Sequence, residues 1–373
     1  MTTLTESPLT AHRSANRRPG SPRATLLRSL VVATWACGSS ATAQYSLLDP
    51  VVVTGIRQPQ RVFDVPASID SVDGETIRDQ QLRVNLSETL GRVPGLLIQN
   101  RLNYAQDLQV SSRGFGARST FGVRGVRLIQ DGIPLTMPDG QGQTALFDLD
   151  GAKNVEVLRG PFTALYGNAS GGVINLVTND GPSRPTLEAN GFFGTFASWR
   201  AGVKFGGSTG ALNYTANVSR FETDGFREHS AARRDLANLK LGVTIDDNSK
   251  LTLIGNSLEQ HNTQDPLGLT QAQLDENPRQ AGTNAVLFNT RKSIDHQQGG
   301  AVYERRITSY DTVKILGYGG HRDVVQHLAI PLAAQGLTSS GGVVDLDRDF
   351  SGVAAQWRHS GVLIGRPYSM TLG

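Results

Sequence analysis

Four groups of residues in this 373-residue chain have types and spacings that chemistry could use. Gly160, Gly167, Gly171 and Gly172 are dense enough to cradle a phosphate, because glycine lets backbone N–H groups approach an anion. No Gly-Lys-Ser or Gly-Lys-Thr follows them, so a nucleotide loop of that kind is not expected, and turns and close packing account for them. Asp148 and Asp150 could work as a general acid–base pair, but they lie at a turn before Gly151, where aspartate is an ordinary turn former. The seven histidines have no ligand spacing. His229, His261, His296 and His321 fall in or beside long polar stretches, where solvated histidine is the plainer reading and a metal site the alternative. Cys37 is the only cysteine, which leaves no intramolecular disulfide, cysteine-based zinc site or cysteine nucleophile. With no convergent set left, the chain is expected not to be an enzyme and to need neither metal nor cofactor.

Charge narrows the partners. The formal net charge is +3, but residues 1–43 carry Arg13, Arg17, Arg18, Arg23 and Arg28 against one acid, Glu6. The rest of the chain is therefore slightly acidic, and no nucleic-acid partner is expected. Residues 1–43 read as a signal peptide: an arginine-bearing start, the apolar run Leu30–Ala36, and small residues ending Ala41-Thr42-Ala43, an A-x-A cleavage pattern that would leave Gln44 first. The arginine-bearing start is long, so translation could begin after Met1. Beyond it, no stretch reaches the ~18–20 apolar residues of a membrane helix. The mature chain is expected to be exported as a soluble protein or a β-barrel.

These residues must be positioned by short strands. Hydrophobic residues are 38% and charged residues 18% of the chain, with 42 glycines, which suits strands and turns better than a helical bundle. The pattern changes near Pro182–Pro185. Before it, Ser68–Val72 reads as a strand, and Asp73 caps a helix running to about Gln81. Asn85 and Glu88 form an asparagine version of the capping box for a helix ending before Pro94. Strands follow at Leu96–Ile98, Gln109–Arg113, Val126–Gln130, Val155–Arg159 and Val173–Val177. This is a mixed α/β domain of ordinary size.

After Pro185, strands alternate strictly. Leu212, Tyr214, Ala216 and Val218 interleave with Asn213, Thr215, Asn217 and Ser219. Leu239, Leu241, Val243 and Ile245 interleave with Asn238, Lys240, Gly242 and Thr244. One apolar and one polar face fits an outer-membrane barrel or a soluble β-sandwich. The connections favour the barrel. Short turns at Gly207–Gly210, Asp246–Ser249 and Thr308–Tyr310 alternate with long polar loops at Thr223–Asp235, Gln260–Gln298 and His321–Asp349, the asymmetry of short periplasmic turns and long external loops. About eight strands fit after the α/β domain, and a barrel that small encloses only side chains. A barrel holding a folded domain has ~22 strands. The chain stops at Thr371-Leu372-Gly373, inside a new strand, so it is expected to be truncated or a fragment.

Several blocks of the α/β half resemble one family. Arg113-Gly114-Phe115-Gly116, Leu128-Ile129-Gln130-Asp131-Gly132-Ile133-Pro134, Val155-Glu156-Val157-Leu158-Arg159-Gly160-Pro161 and Ala164-Leu165-Tyr166-Gly167-Asn168-Ala169-Ser170-Gly171-Gly172-Val173-Ile174-Asn175 resemble, in order and spacing, the plug of TonB-dependent outer-membrane receptors. The resemblance covers Val51 to about Thr178. Phe115–Gly125 followed by Thr136-Met137-Pro138-Asp139-Gly140-Gln141 looks like the branch that includes the pyrroloquinoline quinone importer.

The resemblance implies a fold, a partner set and site residues. The fold is an α/β plug followed by an antiparallel transmembrane β-barrel, incomplete in this chain: signal peptide 1–43, N-terminal extension 44–66, plug 67–185, and the opening part of a 22-strand barrel over 186–373. Val51-Val52-Val53-Thr54 resembles the TonB box, an extended segment that adds a strand to the inner-membrane partner TonB; an ordinary short strand would look the same. Arg113 and Arg159 match arginines that pair with barrel carboxylates, with a solvated surface arginine as the alternative. Ligand contacts are expected from outward loops: Arg101, Tyr104, Arg118, Phe121, Met137, Asp139, Gln141 and Gln143. Arginine and aromatic groups suit a planar anion. The expected function is energy-coupled import across the outer membrane of a scarce small-molecule ligand, a ferric siderophore or similar iron chelate, with outer-membrane lipid around the barrel. The alternatives are import of a small redox cofactor such as pyrroloquinoline quinone, a non-transporting fragment, and a surface adhesin. A β-rich periplasmic or secreted enzyme is the remaining rival.

Overall fold

The computed structural model describes residues 52–55, 57, 59–61, 64–119, 122–160, 162–337 and 341–373. The expected signal peptide, Val51 and Phe121 lie outside the described residues. All described residues belong to one compact unit, Asp49–Gly373.

The first half is the mixed α/β domain read from the sequence. Its short N-terminal strands β1 (Val52–Val53) and β2 (Gln60–Arg61) pair with each other. The central sheet contains β3 (Ser68–Asp73), β6 (Val126–Gln130), β7 (Ile133–Pro134), β8 (Ala152–Arg159) and β9 (Gly172–Thr178) in the order β3-β8-β9-β6-β7. Only β6 and β9 run parallel; the other pairs are antiparallel. Val173, Ile174 and Leu176 make β9 apolar almost throughout, and it is buried on both faces as a central strand must be. A separate pair, β4 (Leu96–Gln99) and β5 (Gln109–Ser112), lies beside it.

Two helix readings change. Asp73 does cap α1 (Gly74–Arg78), accepting from the Thr76 N–H, but the helix stops at Arg78 and not near Gln81, because Asp79 is already extended, with ψ at 121°, and Gln80 follows with a positive φ of 54°. The next helix, α2 (Ser87–Leu90), starts at Leu86 without a side-chain cap. Only half of the expected box forms: the Glu88 carboxylate accepts from the N–H groups of Arg83, Val84 and Asn85, while the Asn85 side chain accepts from Arg234. A short α3 (Thr163–Tyr166) precedes β9.

From Thr186 the chain is one antiparallel sheet of nine strands in sequence order: β10 (Thr186–Phe193), β11 (Trp199–Thr209), β12 (Leu212–Thr223), β13 (Ala232–Asp246), β14 (Ser249–Gln264), β15 (Arg291–Arg306), β16 (Asp311–His327), β17 (Val343–Leu363) and β18 (Arg366–Leu372). Nine strands replace the expected eight, because residues 366–372 complete a strand of their own. The long loops are also shorter than read. Polar strand ends keep pairing, so the connections shrink to 224–231, 265–290, which contains α4 (Gln271–Glu276) and α5 (Thr283–Leu287), and 328–342. A backbone ladder does not need apolar side chains, and hydropathy alone cannot mark where it ends.

The sheet is turned inside out relative to a soluble protein. Leu212, Val218, Leu239, Leu253 and Val353 are exposed, whereas Thr215, Asn217, Asn238, Asn256 and Gln298 are buried against the α/β domain. A sandwich buries its apolar face; this sheet presents it outward and wraps its polar face around a folded domain. A few apolar inward residues join the inner core: Leu258, Ile294 and Val324 pack with it, and Ile133 packs with Ile254, Val302 and Leu316. No helix among the described residues is long and apolar enough to cross a membrane.

Candidate functional site: the seam between inner domain and wall

The ion pairs across the seam have a consistent polarity: the inner domain supplies carboxylates and the wall supplies cations, while the one buried wall-side carboxylate at the seam among these contacts, Asp265, accepts from the neutral Asn103 and Gln106. Asp150, at the turn before β8, pairs with Arg200 of β11 and with Arg83, which is 2.9 Å away. Asp107 pairs with Lys292 of β15 at 2.8 Å. Lys240 of β13 reaches Asp180 at 2.9 Å and Asp131 at 3.8 Å. Arg348 of β17 reaches Asp139 at 3.1 Å. Two further guanidiniums donate to inner-domain carbonyls, Arg234 to Val84 and Arg322 to Leu135. Arg200, Lys292, Arg234 and Arg322 are buried, which is tolerable only because each has a partner.

Asp148 and Asp150 are therefore more than turn formers. The Asp148 carboxylate does close the turn by accepting from the Gly151 N–H at 2.9 Å. It is also buried, and accepts from Asn217 of β12 at 2.7 Å. Burial, and then the neighbouring charge of Asp150, push its pKa up to about 6. His296 is corrected as well: it lies buried inside β15 and not in a solvated loop. His229, His261 and His321 have the local partners Thr290, Asp295 and Asp349.

The arginines expected to face wall carboxylates are arranged differently. Arg159 pairs with Asp70 of β3 and donates to the Pro94 carbonyl. Arg113 is exposed and has no ion pair among the described residues. The glycines pack as expected: a Cβ on Gly172 would sit 2.0 Å from the Leu158 carbonyl oxygen, and one on Gly171 would sit 2.7 Å from Phe115.

The N-terminal segment is docked. Val53 is buried with Ile69, Leu158, Tyr166 and Val173. The Thr54 N–H donates to the Glu156 carboxylate at 2.8 Å, and the Thr54 hydroxyl lies 3.2 Å from the same oxygen. The Tyr166 hydroxyl donates to the Gly55 carbonyl at 2.5 Å, and the Arg57 guanidinium sits 4.1 Å over the Tyr166 ring. Glu156 is buried and also accepts from Asn154 and Asn175.

The expected ligand residues divide. Arg101 and Arg118 are exposed, and Arg101 borders a small polar cavity with Asp107 and Lys292. Tyr104 stacks obliquely on Phe221, with centroids 4.8 Å apart. Asp139 is partly exposed; burial works against its charge, but the Gln141 N–H and the Arg348 and Arg124 guanidiniums hold its pKa below the usual carboxylate range. Met137, Gln141 and Gln143 are buried. Gln143 is fully enclosed beside Lys292 and Asp107, which places it in the seam and not on an open surface. Sequence reasoning missed the wall cations. Their signal is a charge at the polar parity of an alternating strand, as at Lys240 among Asn238 and Gly242.

Residues 61–173 match the family model of the TonB-dependent receptor plug domain. The chain is 29% identical over 230 residues to a vitamin B12 transporter of Photobacterium profundum, covering 57% of this chain and 36% of that protein. It is 31% identical over 224 residues to the pesticin receptor of Yersinia pestis, covering 56% and 32%. Its fold is similar to that of the ferric yersiniabactin uptake receptor of Yersinia pestis, with a TM-score of 0.63 at 21% identity over 82% of this chain and 47% of that one. It is also similar to the unliganded ferric citrate transporter FecA, with a TM-score of 0.64 at 21% identity over 85% and 48%. The matched region thus spans about a third of these curated relatives and about half of these solved structures. Residues 61–173 are thus a TonB-dependent receptor plug domain, and with an antiparallel wall whose apolar side faces out around it the chain is similar to the TonB-dependent receptors of the outer membrane.

Proposed function

We propose that the complete receptor imports a scarce ligand across the outer membrane, coupled to energy through TonB, and that the ligand is a ferric siderophore or a similar iron chelate. The observation that carries the reading is the docked N-terminal segment. Val52-Val53-Thr54 lies extended at the edge of the plug, held through Thr54 by Glu156. Such a segment can leave its site and add a strand to a partner by main-chain hydrogen bonds. No covalent chemistry is required. The iron-chelate reading is supported by relatives described as a ferric enterobactin receptor and a hemin receptor and by neighbours described as a ferric yersiniabactin uptake receptor and a ferric preacinetobactin receptor. Arg101, Arg118 and Asp139 on the exposed side of the plug are the proposed ligand contacts. Arg113, exposed and without an ion pair among the described residues, is proposed to meet a wall carboxylate, whereas Arg159 is already engaged by Asp70.

Val52→Pro tests the coupling. Proline cannot donate to an added strand, so uptake of a labelled iron chelate should be lost while its binding to intact cells is kept. Unchanged uptake by this variant would remove the TonB-box assignment. Competition growth of wild type against a deletion strain under iron starvation, with and without added quinone cofactor, tests the ligand class. An iron-dependent disadvantage of the deletion strain supports the iron-chelate reading.

A further inference from the structure

One row of buried side chains on the inner face of the wall plays no part in the proposed import. Asn217, Asn238, Asn256 and Gln298 are directly opposite one another in register on β12, β13, β14 and β15. His296 lies two residues from Gln298 on the same face and directly opposite Arg322 of β16. All six are buried against the plug. Arg322 donates from Nε to His296 Nδ1 at 3.1 Å, and His296 Nε2 lies 3.2 Å from Gln298 Oε1. Gln298 donates to Asn256 at 3.1 Å, Asn256 to Asn238 at 2.6 Å, and Asn238 to Asn217 at 3.3 Å. Asn217 donates to the Asp148 carboxylate. The far end also touches the plug, where Arg322 donates from Nη2 to the Leu135 carbonyl at 2.9 Å.

The ends determine the middle. A guanidinium can only donate and a carboxylate can only accept. Between them each amide must give its NH2 toward Asp148 and its oxygen toward Arg322, and His296 must be the neutral Nε2–H tautomer. If any one member turned over, a donor would face a donor on one side and an acceptor an acceptor on the other, between buried groups. We propose that Asp148, Asn217, Asn238, Asn256, Gln298, His296 and Arg322 act as one directed hydrogen-bond chain that seats the plug in the wall, so that Asp148 and Arg322 are energetically coupled across five strands without touching. The residues of this chain are positioning residues. The proposal goes beyond the import reading and depends on neither the ligand nor TonB.

Reversing the chain provides the test. Asp148→Asn keeps an oxygen for the Gly151 N–H and turns an NH2 toward Asn217. Every amide must then turn over, and His296 must take the Nδ1–H form, which collides with the Arg322 Nε–H. Arg322→Gln offers an oxygen there and relieves the conflict. Intact receptor in detergent micelles, as wild type, both single variants and the double variant, should be compared by hydrogen exchange of plug amides and by 15N spectra of labelled His296. We expect the double variant to exchange at least about threefold more slowly than the two single effects combined would give. We also expect His296 to change from the Nε2–H to the Nδ1–H tautomer only in the double variant. Any relief of Asp148–Asp150 repulsion enters both arms and cancels. Arg234→Gln, at another buried wall arginine, serves as the control and should show no coupling to Asp148→Asn. If a single variant does not assemble, Asn238→Leu, which cuts the chain, should free the His296 tautomer from Asp148. Strict additivity, or an unchanged His296 tautomer in the double variant, would overturn the proposal.

Discussion

Single residues at the seam are costly because they are charged and enclosed. Arg200 has a side-chain exposure of 2%, and its carboxylate partner Asp150 has 4%. Asp150→Ala would leave the buried Arg200 guanidinium without its charge partner, with only the neutral Asn190 oxygen still accepting from it, and breaking such a pair costs about 3–5 kcal/mol. The urea midpoint for loss of the plug should fall accordingly, and a shift within error would show that solvent reaches Arg200. Asp148 makes a pH-dependent contribution of known sign. Its folded-state pKa is raised from 3.8 to about 6, so the folded receptor holds a proton that the unfolded chain has already released. Stability is therefore greatest below about 4 for this group, falls as pH rises toward 6, and is flat above that. Relative to Asp148→Asn, the wild type should lose on the order of 3 kcal/mol between pH 4 and pH 7, as two pKa units require. A pH-independent difference between the two urea midpoints would contradict the burial argument.

At the level of elements, the docked strand β1 and its acceptor β8 form a latch. Glu156 on β8 collects donors from Thr54, Asn154 and Asn175, an arrangement suited to a group that only accepts. Glu156→Gln would point an NH2 at one of those donors. Leaving one buried group unsatisfied costs about 1–3 kcal/mol, so the Thr54 amide should exchange about 5- to 150-fold faster in the variant. Exchange at the wild-type rate would mean that Val53 packing alone holds the segment. The β9 strand shows why the plug tolerates little change: Gly171 and Gly172 enter it where neighbouring backbone and Phe115 leave no room for a Cβ.

For the whole molecule, the outward surface has bounds that fit a membrane. Its apolar band includes Val218, Leu239, Leu253 and Val353. Toward the long loops the outward row becomes acidic, with Asp235, Glu259, Asp295, Asp323 and Asp347 directly opposite in register. Like charges side by side are unfavourable, and lipid offers them no solvation, so this row marks the wet side of the band. Toward the short turns, Tyr310, Trp357 and Tyr368 gather around His359, the aromatic edge expected at an interface. Leu239→Arg on the band should destabilise the receptor in lipid by up to about 4 kcal/mol near the bilayer midplane. Leu239→Ala should have a far smaller effect in the same folding assay in vesicles, and equal effects would argue against lipid contact.

The fold class was legible because its signals are local. A period of two with one polar face, alternating short and long connections, and the blocks around Gly114, Asp131 and Gly172 can all be read from neighbours in the chain. The Asp73 cap was legible for the same reason. The outward direction of the apolar face was inferred from the loops, but the physical ground for it is tertiary: a folded domain occupies the other side. The pairings at the seam could not be read. Asp150 and Arg200, Asp107 and Lys292, and Asp148 and Asn217 are far apart in sequence, and each looks like a turn former or a solvated charge until the wall closes on the plug. A residue's type sets which hydrogen bonds and charges it can offer. Only the packing of β11–β17 around the inner sheet removed the water and decided which of those offers had to be met.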